Sequence, residues 1–136
     1  MSELGERVAS EAKALVGTPF RLQGRDPATG IDCIGLVALA LQRARGSQVV
    51  PTPQDYRLRN RSVDHLLRFA DRVGLQSANG PVRCGDIIHS SPGPAQNHLL
   101  IAAGPESFVH AHAGLRRVVQ STGTLADPVL HHWRLT

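Results

Sequence analysis

Residues 30–41 read Gly30-Ile31-Asp32-Cys33-Ile34-Gly35-Leu36-Val37-Ala38-Leu39-Ala40-Leu41. From Cys33 onward this run is apolar on every side, and it continues without a proline to Arg45 and Gly46. Such a pattern belongs to a helix buried at the centre of a domain. Asp32 stands where an N-cap is expected, with a carboxylate able to accept an N–H of the first turn. Cys33 then falls at the helix N-terminus, where free N–H groups and the positive end of the helix dipole favour thiolate over thiol. The same donors can help to hold an oxyanion. Gly35 leaves room for another chain or a substrate to approach the first turn.

Outward from this helix, the pattern divides the chain into two halves. Leu4, Val8, Ala12 and Leu15 recur at helical spacing from a candidate cap at Ser2 up to Gly17, which predicts a first amphipathic helix. Residues 20–30, with Gly24, Pro27 and Gly30, read as an irregular loop, and residues 47–61, with Pro51 and Pro53, as a surface connection. A third helix is expected from Ser62 to Gly74 through Val63, Leu66, Leu67, Ala70 and Val73. Beyond it, short apolar runs at 86–89, 98–103, 107–111, 116–120 and 129–134 are separated by Gly, Pro, Asn and Ser. Those are the marks of an antiparallel meander. Helices first and strands afterwards predict a single α+β domain over 1–136, its helices packed on one side of a sheet of about five strands.

The bulk properties remove several function classes. The chain has 136 residues, 41% of them apolar, with 15 Lys and Arg against 11 Asp and Glu. That is enough for one core without metals or disulfides. Its pI is near 10, which favours attraction to a polyanion such as a cell-wall polymer. The basic concentration at Arg57, Arg59 and Arg61, with Arg68 and Arg72 beyond, has the single aromatic Tyr56 beside its first three arginines, a poor fit to a nucleic-acid surface. Cys33 and Cys84 form no CxxC pair, so a zinc ribbon is excluded and Cys84 reads as a structural thiol. Residues 1–16 carry charges throughout, unlike a signal peptide, and no window reaches the roughly 18 apolar residues of a membrane span. A target outside the membrane would then require another delivery route.

A partner for Cys33 is found in the second half. Gly104-Pro105 separates two strand-like runs, 98–103 and 107–111, which read as a β-hairpin. If the hairpin is centred on Gly104, His98 lies opposite His110, with both side chains on one face and Cβ atoms about 5 Å apart. One imidazole can then act as general base for Cys33 while the other fixes its tautomer. His112, two residues beyond His110, shares that face; it is an alternative orienter or a lining residue of the groove. Zinc held by His98, His110 and His112 is conceivable, but the only fourth ligand suggested is Cys33 itself. No metal or other cofactor is expected. His65, His89, His131 and His132 read as surface or packing residues.

Together, Gly17-Thr18-Pro19-Phe20, Gly30–Leu36, Gly85-Asp86-Ile87-Ile88, His98 and Phe108-Val109-His110-Ala111 resemble, in order and spacing across residues 11–120, the NlpC-type peptidoglycan peptidases. The resemblance implies a papain-like fold and a catalytic set of a Cys, a His on the sheet and a third polar residue on the next strand, which map to Cys33, His98 and His110. It also implies a substrate, the stem peptide of peptidoglycan, cut between D-glutamate and the diamino acid. The run Phe108–Gly114, with Val118-Val119 and Trp133-Arg134, looks like the short cell-wall peptidases of phage tails and gene transfer agents. That implies delivery to the wall by a phage-like particle or by lysis, with tail proteins as partners.

Two positions depart from the pattern. Phe20 stands where the family usually has Tyr, and Ile34 where it usually has Ser. The missing hydroxyl leaves the oxyanion to the Cys33 N–H and to a substitute donor such as Gln23 or Tyr56; with Asp32, Ile34 and His112 these complete the expected substrate-binding set. The alternatives are a papain-like amidase or acyl transferase acting on another substrate, and a catalytically weak structural subunit of a tail tip. A basic nucleic-acid module is more distant.

Overall fold

The computed structural model describes residues 3–46, 52–54, 56–58, 60 and 62–135. In chain order the elements are α1 (Glu3–Ala14), β1 (Arg25–Asp26), β2 (Gly30–Ile31), α2 (Cys33–Ala44), α3 (Asp64–Arg72), β3 (Leu75–Ser77), β4 (Ile87–Ser90), β5 (His98–Gly104), β6 (Ser107–His112), β7 (Arg117–Thr122) and β8 (Val129–Leu135). The α+β class and the three helices agree with the sequence pattern. The proposed cap at Ser2 lies outside the described residues.

The sheet has six strands in the order β3-β8-β4-β5-β6-β7, every neighbouring pair antiparallel. The strand absent from the sequence reading is β3, a three-residue edge pairing with β8 and too short to show a period. The 20–30 segment, expected to be irregular, contains the two-residue ladder of β1 and β2. Both are corrections of detail at the margin of what periodicity can register.

Helices α1 and α2 pack on each other and on one face of β5. Val8, Ala12, Leu36, Val37, Leu41, Ile87, Leu99, Ile101 and Val109 are all buried there. The alternate residues of the same strands, Ile88, Leu100, Ala102 and Phe108, form a smaller cluster on the other face beneath Leu125. Each central strand is therefore apolar on both sides, which explains why β4 and β5 read as unbroken apolar runs. Burying α2 almost completely contributes on the order of 1.5–3 kcal/mol for each large aliphatic side chain removed from water.

The far end of the sheet is fastened by Asp86, 1% exposed. Its carboxylate accepts Arg134 Nε at 2.8 Å, Arg134 Nη2 at 2.8 Å, His132 Nε2 at 2.6 Å and the Arg83 N–H at 2.9 Å. This clamp joins β8 to the turn before β4. At the other edge, the segment from Gly17 to Phe20 runs along β7, with Gly17 N–H donating to Val118 O at 2.9 Å and Phe20 N–H to Arg116 O at 2.9 Å. No described helix is long and apolar enough to cross a membrane.

Candidate active site

Asp32 caps α2 as its position implies: its backbone is extended, with φ −102° and ψ −169°, and Oδ1 accepts the Gly35 N–H at 2.9 Å. Its other lone pairs are equally committed. Gln23 N–H donates to Oδ2 at 2.8 Å, Arg25 Nη1 donates to Oδ1 at 3.0 Å, and the Tyr56 hydroxyl donates to Oδ2. Gln23 reaches this position with φ +61°, a conformation uncommon for a residue with a side chain. Arg25 Nη2 also donates to Tyr56 Oη at 2.8 Å and to Pro53 O at 2.7 Å, and Gln23 Nε2 donates to Tyr56 O at 2.7 Å. The helix start, the 23–25 segment and the 53–56 segment are thus tied in one knot around a buried carboxylate.

Gln23 and Tyr56, expected as substitute oxyanion donors, both join this knot: the Tyr56 hydroxyl gives its one proton to Asp32, Gln23 Nε2 donates to Tyr56 O, and Tyr56 is only 7% exposed. Burial, then the charge of Asp32, pushes the Tyr56 hydroxyl well above its ordinary value, so it stays protonated and donating. Gly35 is explained by the chain itself rather than by substrate: a Cβ there would lie 2.3 Å from Gly24 O.

Cys33 projects from the first turn beside the start of β5, where the backbone N–H groups of Leu99 and Ile34 face its sulfur. The thiolate expected from the helix terminus is opposed by the surroundings of the sulfur. Enclosure of the sulfur, followed by the neighbouring Asp32 charge, pushes the thiol up to about 12; the two N–H groups and Arg25 oppose this more weakly. The helix dipole acts within one turn, and the capping carboxylate sits in that same turn.

The two histidines meet, though not by the expected register. Ile101 faces Val109 and Ala102 faces Phe108, with an irregularity before Gly104. The ladder is therefore centred on Pro105 rather than Gly104. A two-residue slip preserves the face of every side chain, so His98 and His110 become diagonal neighbours instead of opposed ones. Their rings stand perpendicular, centroids 4.9 Å apart, with His98 Nε2 and His110 Nδ1 at 2.8 Å. His110 Nε2 lies 3.0 Å from Ser121 Oγ on β7. His112 is turned elsewhere, its Nδ1 accepting the Leu115 N–H at 3.0 Å. Burial, then His110 and His112, lowers His98 to about 4; burial, then His112, also lowers His110.

Cys33, His98 and His110 line one cleft of about 640 Å³, with Asp32, Ile34, Phe20, Tyr56 and His112 also in its wall. Of the expected set, Gln23 alone does not reach the cleft wall. Ile34 is 1% exposed, part of the core as much as of the cleft.

Sequence reasoning missed Arg25, Ser121 and Asn97. Ser121 could have been found by extending the alternation to β7, since His110 faces Val119 and Ser121 is the next residue on that face. Asn97 lines the cleft and its Oδ1 lies 2.8 Å from Nε2 of His89, whose Nδ1 is 2.9 Å from Nδ1 of His131. His89 is fully buried. Among the described residues no three of His, Cys, Asp and Glu converge as metal ligands.

The site thus brings a thiol at a helix start into one cleft with two imidazoles in contact with each other. The fold is similar to NlpC1 from Trichomonas vaginalis, with 22% identity, TM-score 0.68, and 96% of this chain covered against 44% of that one. It is similar to the NlpC/p60 domain of the peptidoglycan hydrolase SagA, with 20% identity, TM-score 0.63, and coverage of 92% and 95%. It is also similar to the peptidoglycan hydrolase RipB from Mycobacterium tuberculosis, with 22% identity, TM-score 0.59, and coverage of 98% and 65%. The chain spans less than half the length of the T. vaginalis protein. No curated protein matches it. The family model for NlpC/P60 matches residues 17–134, a span that includes α2, His98, His110 and all of the sheet but the last residue of β8, and the chain belongs to the NlpC/P60 family.

Proposed function

We propose that this protein is a cysteine peptidase that hydrolyses amide bonds in the stem peptide of cell-wall peptidoglycan, through Cys33, His98 and His110. The observation that carries the reading is the 2.8 Å contact of His98 Nε2 with His110 Nδ1 in the cleft that Cys33 also lines. Kinship with a family that includes peptidoglycan hydrolases such as SagA and RipB supports the substrate.

The tautomers follow from the contacts. If His98 Nε2–H donates to His110 Nδ1, then His110 carries its proton on Nε2 and donates to Ser121 Oγ, and His98 Nδ1 is left with its lone pair as base. At rest both Cys33 and His98 are neutral, so the thiol proton passes to His98 as sulfur attacks the carbonyl. The Cys33 N–H at the helix start is positioned to help hold the oxyanion. His98 returns the proton to the departing amine, leaving a thioester. Water, deprotonated by His98, then attacks the thioester, and the carboxylic acid leaves as the thiol is restored.

The bond we favour is that between D-glutamate and the diamino acid. Delivery by a phage-like particle or by lysis, with tail proteins as partners, belongs to the same proposal and rests on the resemblance of Phe108–Gly114 to tail-borne peptidases. Mass spectrometry of muropeptides released from purified sacculi by the wild type and by Cys33→Ala tests the core claim. Fragments cut within the stem, present only with the wild type, are expected; no release by folded wild-type protein would overturn it. The cleft also carries Leu22, Leu58, Leu100, Phe108 and Leu125, which favours a second reading, hydrolysis or transfer of an apolar acyl group. Turnover of long-chain acyl thioesters with intact sacculi would select that reading.

A further inference from the structure

A second hollow, of about 300 Å³, adjoins the cleft. Thr52, Pro53 and Gln54 form one wall, and His65, Arg68 and Arg72 of α3 the other, with Phe69 beneath. Among the described residues no acidic side chain lines it. Among the described residues, neither Arg68 nor Arg72 has a hydrogen-bond or ion-pair partner. Two like charges one helical turn apart repel each other, and among the described residues no ion pair relieves them. Guanidinium groups in this arrangement suit the forked recognition of an oxyanion.

The hollow is braced by the same residues that brace the active site. Pro53 O accepts Arg25 Nη2, the group that also holds Tyr56, and the His65 ring lies parallel to Tyr56, 12° between planes and 5.4 Å between centroids. His65 lines both the hollow and the cleft. Burial, then the charge of Arg68, lowers its pKa, against a smaller opposing effect of Asp64. His65 therefore stands between the cleft that Cys33 lines and the hollow that the two arginines line.

We propose that this hollow is an anion subsite, which holds a phosphate or carboxylate group of the wall polymer while the scissile bond lies at Cys33. The anion site stands on its own geometry; its use during cleavage rests on the peptidase reading above.

Inorganic phosphate titrated into Cys33→Ala protein at constant ionic strength, followed through the ring resonances of His65, tests the site itself. Saturable binding is expected, with the His65 titration displaced upward because the bound anion favours imidazolium, and Arg68→Gln with Arg72→Gln should weaken it at least tenfold. An equal response to chloride, or undiminished binding in the double variant, overturns the proposal. In otherwise wild-type protein, the double variant is then compared on sacculi bearing phosphodiester-linked polymer, on sacculi stripped of it, and on sacculi with amidated stem carboxylates. A several-fold rise in KM with kcat preserved, lost on one of the modified substrates, identifies the group bound; unchanged KM on all three overturns the role in cleavage. If wild-type protein cleaves none of them, the peptidase reading has failed and the phosphate titration alone decides the anion site.

Discussion

Tyr56→Phe separates two roles for this residue. Removing the hydroxyl deletes the donor to Asp32 Oδ2 and the acceptor of Arg25 Nη2 while leaving the ring in place. Asp32 is 3% exposed, so water cannot readily replace the donor, and the lost hydrogen bond is to a charged acceptor. Such bonds are worth about 1.5–3 kcal/mol. For a domain of this size that corresponds to a fall in Tm of about 5–12 °C. Because Asp32 keeps the N–H groups of Gln23 and Gly35 and the Arg25 pair, α2 stays capped and Cys33 stays in place. The specificity constant kcat/KM should then change less than about fivefold, well short of the 10²–10³-fold loss that follows removal of an oxyanion donor. Differential scanning calorimetry and hydrolysis of a stem-peptide substrate give the two readings. A Tm within about 1 °C of wild type together with a hundredfold loss of turnover would refute the reasoning and return Tyr56 to the oxyanion site.

Further outcomes follow from the charges. At pH 7, Cys33 should react with iodoacetamide at least about 100-fold more slowly than a free cysteine peptide, because only the thiolate reacts and the thiol is pushed up to about 12; fast labelling at pH 6 would contradict this. His98, lowered to about 4 from 6.5, stays neutral in the folded protein while its unfolded counterpart gains a proton. Stability is therefore complete above pH 6.5 and declines towards pH 4, by up to about 3 kcal/mol from this group; urea melts of His98→Gln should show a shallower decline. Asp86→Asn breaks the clamp on Arg134 and His132, and should cost about 2–4 kcal/mol in chemical denaturation with kcat unchanged. Ser121→Ala should lower kcat several-fold with Tm preserved, because it frees His110 Nε2 and with it the tautomer; an unaltered kcat would remove Ser121 from the site.

What was legible in the sequence was whatever local period and capping chemistry dictate. The apolar run after Asp32 specified α2, and the alternation around Gly104-Pro105 brought His98 and His110 to one face. The register itself was less legible: the irregularity before Gly104 shifts the pairing centre by one position, and only the two-residue periodicity of strands kept the histidines together. The state of Cys33 was not legible, because the helix dipole can be read from position alone whereas burial of the sulfur depends on β5 packing over it. The knot around Asp32 was least visible. Arg25, Pro53 and Tyr56 are 7 to 31 residues from their partners, and nothing in their spacing announces a contact.

That knot has a consequence for how the molecule opens. The described residues 52–54 and 56–58 belong to no helix or ladder, and a connection of that kind ordinarily exchanges its amide hydrogens through small local fluctuations. Here the Pro53 carbonyl and the Tyr56 side chain are fastened, through Arg25 and Asp32, to the first turn of the central helix. Releasing the segment strips the buried Asp32 of the Tyr56 hydroxyl and leaves Arg25 Nη2 without its two acceptors, although the Gly35 N–H still caps α2. The opening of the cleft wall should therefore cost more free energy than the fraying of an ordinary connection, and its amide hydrogens should exchange correspondingly more slowly.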